Sequence, residues 1–221
     1  MKVSLVIAVA LAATLSAQQP YAPARYSSGA SPPLPALVVG GGQAFVELTV
    51  GPSGAVEKVT PLRSTPPFTQ ALADAVRGWR FTAATDVVIS ADGKSADPQA
   101  VASRVLVAAV FRAPSMQTPT QGERPANVAP ASAAVAFPAS TREPPYPPQA
   151  ASGGVVLIEA LVDGSGKVSE ARVIGSAPPF DQPALAAARQ WSFRPARVKG
   201  RPTATYVYLI FGFPAPVTAS R

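Results

Sequence analysis

The chain has 221 residues, no cysteine, no histidine and a formal net charge of +7. Without cysteine the fold rests on packing and not on disulfides, and without histidine it lacks the commonest general base and the commonest metal ligand. The basic balance alone would suit nucleic acid, but the start of the chain points to export and argues against that partner.

Lys2 precedes the apolar run Val3 to Leu15, which is followed by Ser16-Ala17-Gln18. This is the charged start, short apolar core and small-residue cleavage site of a secretory signal over residues 1–17. The run falls short of the roughly 20 apolar residues that span a bilayer as a helix. Leu15 is a poor residue three before the cut, so an uncleaved anchor is the alternative. Residues 18–30 carry Gln, Pro, Ser and Tyr without periodicity and read as a flexible lead-in.

A repeat follows. A shift of 112 residues, without a gap, aligns Gly41-Gly42 with Gly153-Gly154, Glu47 with Glu159, and Ser53-Gly54 with Ser165-Gly166. It also aligns Pro66-Pro67-Phe68 with Pro178-Pro179-Phe180, and Arg77, Trp79 and Phe81 with Arg189, Trp191 and Phe193. About 20 of roughly 53 pairs between positions 32 and 84 are identical, the self-similarity of an internal repeat. The spacing predicts two small units, residues 31–112 and 143–214, with a short tail over 215–221.

Each unit reads alike. Val155 to Val162 is apolar on nearly both faces, the pattern of a central strand. Asp163-Gly164-Ser165-Gly166 is a hairpin turn, with glycine supplying positive φ. Lys167 to Ile174 alternates as a strand with one solvated side. Pro178-Pro179 breaks the chain, and Asp181 can cap a helix, with Phe180 as a staple. Ala184, Ala188 and Trp191 follow at helical spacing, matched by Leu72, Val76 and Trp79. After a basic loop, Tyr206 to Phe213 forms the last strand. In the first unit a long loop, Thr82 to Ala102, precedes the last strand Arg104 to Phe111, and Leu34 replaces Tyr146. Residues 113–142, rich in Pro, Ala and Ser, read as a flexible to semi-extended linker.

Motifs for chemistry are weak. Gly93-Lys94-Ser95 ends like a phosphate-binding loop, but Val88 stands where the motif needs glycine. The Asp163 hairpin lacks the ligand spacing of a calcium loop, and its first-unit counterpart, Gly51-Pro52-Ser53-Gly54, keeps the turn without the acid. No serine has a histidine partner. The reading is a binding protein and not an enzyme, with no cofactor and no metal.

Trp79, Trp191, Phe180, Gly54 and Gly166 are assigned structural roles in core and turns. The basic residues Arg194, Arg197, Lys199 and Arg201 either form a solvated loop or, with Tyr146, touch an acidic partner. Tyr206, Val207, Tyr208, Leu209, Ile210 and Phe211 form the sharpest site. If Val155 to Val162 is central in a three-stranded sheet, this strand is an edge without charge or proline, a hazard unless covered. An added partner strand is one cover. The lead-in, the other unit, or a homodimer is another.

Tyr146-Pro147 with Ala150, the hairpin Asp163 to Val168, Ser176 with Pro179-Phe180, Leu185, Trp191-Ser192-Phe193-Arg194-Pro195, Gly200 and Phe211-Gly212-Phe213 together carry a resemblance. The second unit resembles the C-terminal domain of the energy transducer TonB, and the first looks like a diverged copy. The resemblance implies an α+β fold: two modules, each a three-stranded antiparallel sheet with one main helix, joined by the Pro/Ala-rich linker. It implies a periplasmic protein whose last strand, Tyr206 to Phe211, receives the TonB box peptide of an outer-membrane receptor in energy-coupled transport. Inner-membrane motor proteins would be partners only if the N-terminal segment stays as an anchor. The chain departs from a full transducer in its short apolar start, its lack of histidine and its missing long spacer.

Overall fold

The computed structural model describes residues 21–35, 40–89, 96–113 and 126–215. The signal expected over 1–17 and the Gly93-Lys94-Ser95 turn lie outside them. In the first half the elements are β1 (Tyr21–Ala22), β2 (Arg25–Ser28), β3 (Gly42–Val50), β4 (Val56–Ser64), α1 (Phe68–Arg77), β5 (Arg80–Thr82), β6 (Ala84–Ile89), β7 (Ala96–Val101) and β8 (Ser103–Phe111). They continue with β9 (Ala126–Asn127), β10 (Phe137–Ser140), β11 (Gly154–Val162), β12 (Val168–Gly175), α2 (Asp181–Ala188), β13 (Ser192–Arg194), β14 (Arg197–Val198), β15 (Arg201–Pro202) and β16 (Thr205–Phe213). The fold is α+β.

Positions 112 apart share local geometry. Phe68 and Phe180, 112 apart, each stack on a phenylalanine of their last strand, Phe111 and Phe213, with ring centroids 4.4 and 4.3 Å apart. The Trp79 indole N–H donates to the Ala30 carbonyl at 2.8 Å, and that of Trp191 donates to the Arg142 carbonyl at 2.9 Å. Gly54 and Gly166 have φ of 78° and 85°, and each carbonyl accepts the N–H of Phe81 or Phe193. A Cβ on either glycine would stand 1.9 Å from the Phe81 or Phe193 carbonyl oxygen. Gly166→Ala is therefore expected to cost at least about 2–3 kcal/mol, through the left-handed φ and the clash together. Urea denaturation checks it, and a loss below about 0.5 kcal/mol would show that the hairpin yields at little cost.

The expectation of two separate three-stranded sheets does not hold. One seven-stranded sheet runs β12-β11-β16-β8-β3-β4-β9. β11 is antiparallel to both β12 and β16, β3 is antiparallel to both β4 and β8, and β8 meets β16 in parallel. The parallel seam turns the halves over relative to each other. α1 buries Phe68, Leu72 and Val76 on one face with Val46, Leu48, Val107, Ala109, Tyr208 and Ile210. α2 buries Ala184, Ala187 and Ala188 on the other, with Phe45, Ala108, Val156, Ile158, Leu209 and Phe211. Side chains alternate along a strand, so each half supplies the second cover for the other. That is why β3, β8, β11 and β16 are apolar on both faces.

Three segments expected to be irregular are not. Thr82–Ala102 holds the antiparallel pair β6 and β7, with β1 added to β6. The lead-in over 18–30 contains β2, which pairs with β5. Of the linker expected over 113–142, residues 126–142 lie on the body: β9 pairs with β4, β10 pairs with β13, and Val135 and Ala136 are buried. Asp181 is not the cap of α2. It is the first helical residue, and its carboxylate accepts from the Ala177 N–H at 2.8 Å and from the Ser176 hydroxyl.

Candidate partner interface

The strand Tyr206 to Phe211 is not an edge. Within β16 it pairs with β11 on one side and β8 on the other, Tyr208 lying between Glu159 and Val107, and Ile210 between Leu157 and Ala109. Val207, Tyr208, Leu209 and Ile210 are fully buried and Phe211 nearly so. The cover comes from the first half, whose last strand is equally uncharged through its buried stretch Val105 to Phe111. Tyr206 alone keeps partial exposure, with the Arg25 guanidinium 5.1 Å from its ring centroid.

Tyr146 is buried as well. It is 8% exposed, it packs edge-on against Phe180 and Phe213, and its hydroxyl donates to the Ser152 carbonyl at 3.0 Å. The basic residues disperse over the hairpin of β14 and β15 and its surroundings. Arg194 donates to the Ser132 carbonyl, Arg197 to the Gly200 carbonyl, and Lys199 pairs with Asp86 at 2.6 Å. Three of the four are thus engaged within the chain, and only Arg201 has no such contact among the described residues.

Trp79 and Trp191 are buried where helix meets sheet. Trp79 and Tyr26 both pack on Tyr208, at 6.0 and 5.8 Å between centroids, and Phe45 packs on Trp191 at 6.4 Å. Aromatic contacts therefore cross between halves in both directions.

The sequence reading missed a charged cluster built on Glu159. This residue is 2% exposed in the middle of β11. Its Oε1 accepts from Arg25 Nη2 at 2.9 Å and from Arg172 Nε at 2.7 Å, while the Tyr208 hydroxyl stands 3.5 Å from Oε2. The Tyr208 hydroxyl in turn accepts the Tyr26 N–H at 2.6 Å, and burial pushes its pKa up. Burial also pushes the Glu159 carboxyl up, but the hydrogen bonds and charges of Arg172 and Arg25 outweigh it and hold the group below the usual glutamate range. A carboxylate so held has no proton to give near neutrality, and its hydrogen bonds to Arg25 and Arg172 make the cluster a clamp. Glu47, the position 112 residues earlier, also accepts from two partners, Arg104 at 3.1 Å and the Ser132 N–H at 2.9 Å. Each buried glutamate is thus gripped by the segment leading into the other half. Glu159→Gln is expected to cost about 1–2 kcal/mol at pH 7. Because the folded pKa is depressed, this contribution is present above the unfolded value and lost as pH falls through the folded one. The gap between wild type and Glu159→Gln should therefore close on acidification below about pH 4. Denaturation at pH 7 and pH 3.5 checks it, and a constant gap would remove Glu159 as the source.

Among the described residues the sheet ends at β12 on one side and at β4 with β9 on the other. β4 contains Pro61, which has no N–H to donate, and its end is paired by β9 at Arg63 and Ser64. β12 has neither guard. Pro61 against Val173 at the shift of 112 was the available signal. Beside β12 lies an open cleft of about 370 Å³, lined among others by Arg25, Glu170, Arg172, Arg189 and Tyr206. No helix among the described residues is long and apolar enough to cross a membrane.

No curated protein matches the chain. Residues 142–214, which hold β11, β12, α2 and β13 to β16, match the family model of the Gram-negative bacterial TonB protein C-terminal.

Proposed function

We propose that this chain is a TonB-like binding protein of the periplasm that supports energy-coupled transport across the outer membrane and is not an enzyme. The observation that carries the reading is the family match of residues 142–214, which takes in α2 and three neighbouring strands of the sheet, β12, β11 and β16. Residues 31–112 are a diverged copy of that unit, a reading supported by the paired tryptophans and glycine hairpins 112 residues apart and by the matching stacks of Phe68 and Phe180 on their last strands. The partner is a TonB-dependent outer-membrane receptor, or a related protein, that offers an extended box peptide to Tyr206–Phe211 by strand addition. With β8 in place, addition is an exchange in which the peptide takes the ladder and β8 leaves, so association is slow.

Titration of receptor box peptides against three proteins tests this. Wild type is expected to bind slowly. Val107→Ala, which loosens β8 without adding charge, should bind faster, and Tyr208→Pro should not bind. Equal binding by wild type and Tyr208→Pro, or no effect of Val107→Ala, sinks the exchange reading. If residues 3–17 are retained as an anchor, the same unit becomes a transducer served by inner-membrane motor proteins. An exported protein that starts at Gln18 excludes that form.

The parallel β8–β16 seam favours a second reading, in which the last strands serve only each other and no receptor strand is taken. It is supported if the Tyr206–Phe211 amides exchange as slowly as those of Val156–Val162 and no box peptide binds even to Val107→Ala.

A further inference from the structure

The two ends of the sheet are treated differently. Proline and a covering strand are the usual guards of an exposed edge, and both stand at β4: Pro61 within the strand and β9 across its end, continued by the Val128 N–H donating to the Leu62 carbonyl at 3.0 Å. Along β12 the outer side carries no strand among the described residues, and Val173 replaces the proline. One edge is blunted and its counterpart is left able to pair.

The unguarded strand is complementary to its own reverse. About Ala171, an antiparallel copy of Val168-Ser169-Glu170-Ala171-Arg172-Val173-Ile174 sets Val168 against Ile174, Ser169 against Val173 and Glu170 against Arg172. A two-fold interface requires this reciprocity, residue i meeting j while j meets i. Opposite charges directly across a ladder favour pairing, and here the symmetry makes two such pairs. Register with β11 puts Glu170 beside Leu161 and Arg172 beside Glu159, on one face. Glu170 is exposed and makes no hydrogen bond or ion pair among the described residues. Arg172 spends its Nε on Glu159, which fixes the guanidinium, while its side chain stays 56% exposed with the rest of its fork turned to the open cleft. A fixed fork recognises a carboxylate with little further ordering.

We propose that two copies of the chain join through β12 in an antiparallel ladder centred on Ala171, with Glu170 of each copy on Arg172 of the other. The interface lies at the β12 edge of the sheet, with β11 and β16 between it and β8, so it stands whether or not that seam opens to a partner.

The absence of cysteine makes the register readable. Residues facing each other across a two-fold ladder have Cα atoms about 4.5–5.5 Å apart, within disulfide range. Mild oxidation of Ala171→Cys is expected to give a covalent dimer, and Ser169→Cys, which faces Val173, much less. Sedimentation of the wild-type chain should show a reversible dimer. Glu170→Arg, an exposed change, should weaken it by roughly tenfold or more by setting two like-charge pairs across the ladder. A wild-type chain that stays monomeric at high micromolar concentration overturns the proposal. So does a dimer indifferent to Glu170→Arg, or a Ser169→Cys cross-link as efficient as that of Ala171→Cys.

Discussion

Trp191→Ala is expected to lower the stability of the folded chain by about 3–5 kcal/mol. The indole is 3% exposed and is packed by Phe45, Phe193 and Phe211. Its removal leaves a large cavity between α2 and the sheet, and it strands the Arg142 carbonyl that accepts the indole N–H. Against a typical total stability of about 5–15 kcal/mol the loss is severe. Trp191→Phe should recover most of it, losing mainly the hydrogen bond, about 1 kcal/mol. Urea denaturation followed by circular dichroism checks both variants. If Trp191→Ala kept its stability but lost a ligand, the indole would belong to a binding surface and not to the core.

Ala108→Asp should do more, and its damage should cross the molecule. Ala108 is fully buried in β8, with Phe45 on one neighbouring strand and Leu209 on the other. Its methyl group points to the face covered by α2, which belongs to the other half of the chain. A carboxylate there has no partner and no water, and a loss of at least about 4 kcal/mol is expected. Because the seam joins both halves into one sheet, unfolding should remain a single transition. Amide exchange should accelerate in Gly154–Val162 as well as in Gly42–Val50. Retained protection of Gly154–Val162 in this variant would show that the halves hold together independently, and the seam would then be dispensable.

What the chain alone made legible was what short-range physics decides. The glycine at positive φ closes the hairpin at Gly166 because the turn needs it, whatever lies beyond. The Pro178-Pro179 break, the helix after it and the apolar runs that became β3, β11 and β16 follow from periodicity and backbone sterics over a few residues. Trp191 is buried as the stripe suggested, but it lies past the end of α2 and not on the helix. The same reading failed where the signal was compositional. Residues 126–142 look like linker because they lack periodicity, yet Val135 and Ala136 find a core supplied by distant strands.

Only the tertiary structure decided what covers Tyr206–Phe211. An uncharged, proline-free strand states that it needs a neighbour, but a receptor peptide, a second chain and β8 all satisfy that need with the same main-chain hydrogen bonds. The choice of β8 depends on how the halves turn over to cover each other's faces, and no local pattern encodes that. Arg25 and Glu159 make the same point. They are separated by 134 residues, and they meet because the lead-in of one half lies on the central strand of the other. Partners set by such long-range placement leave residue types in the sequence but no spacing to read.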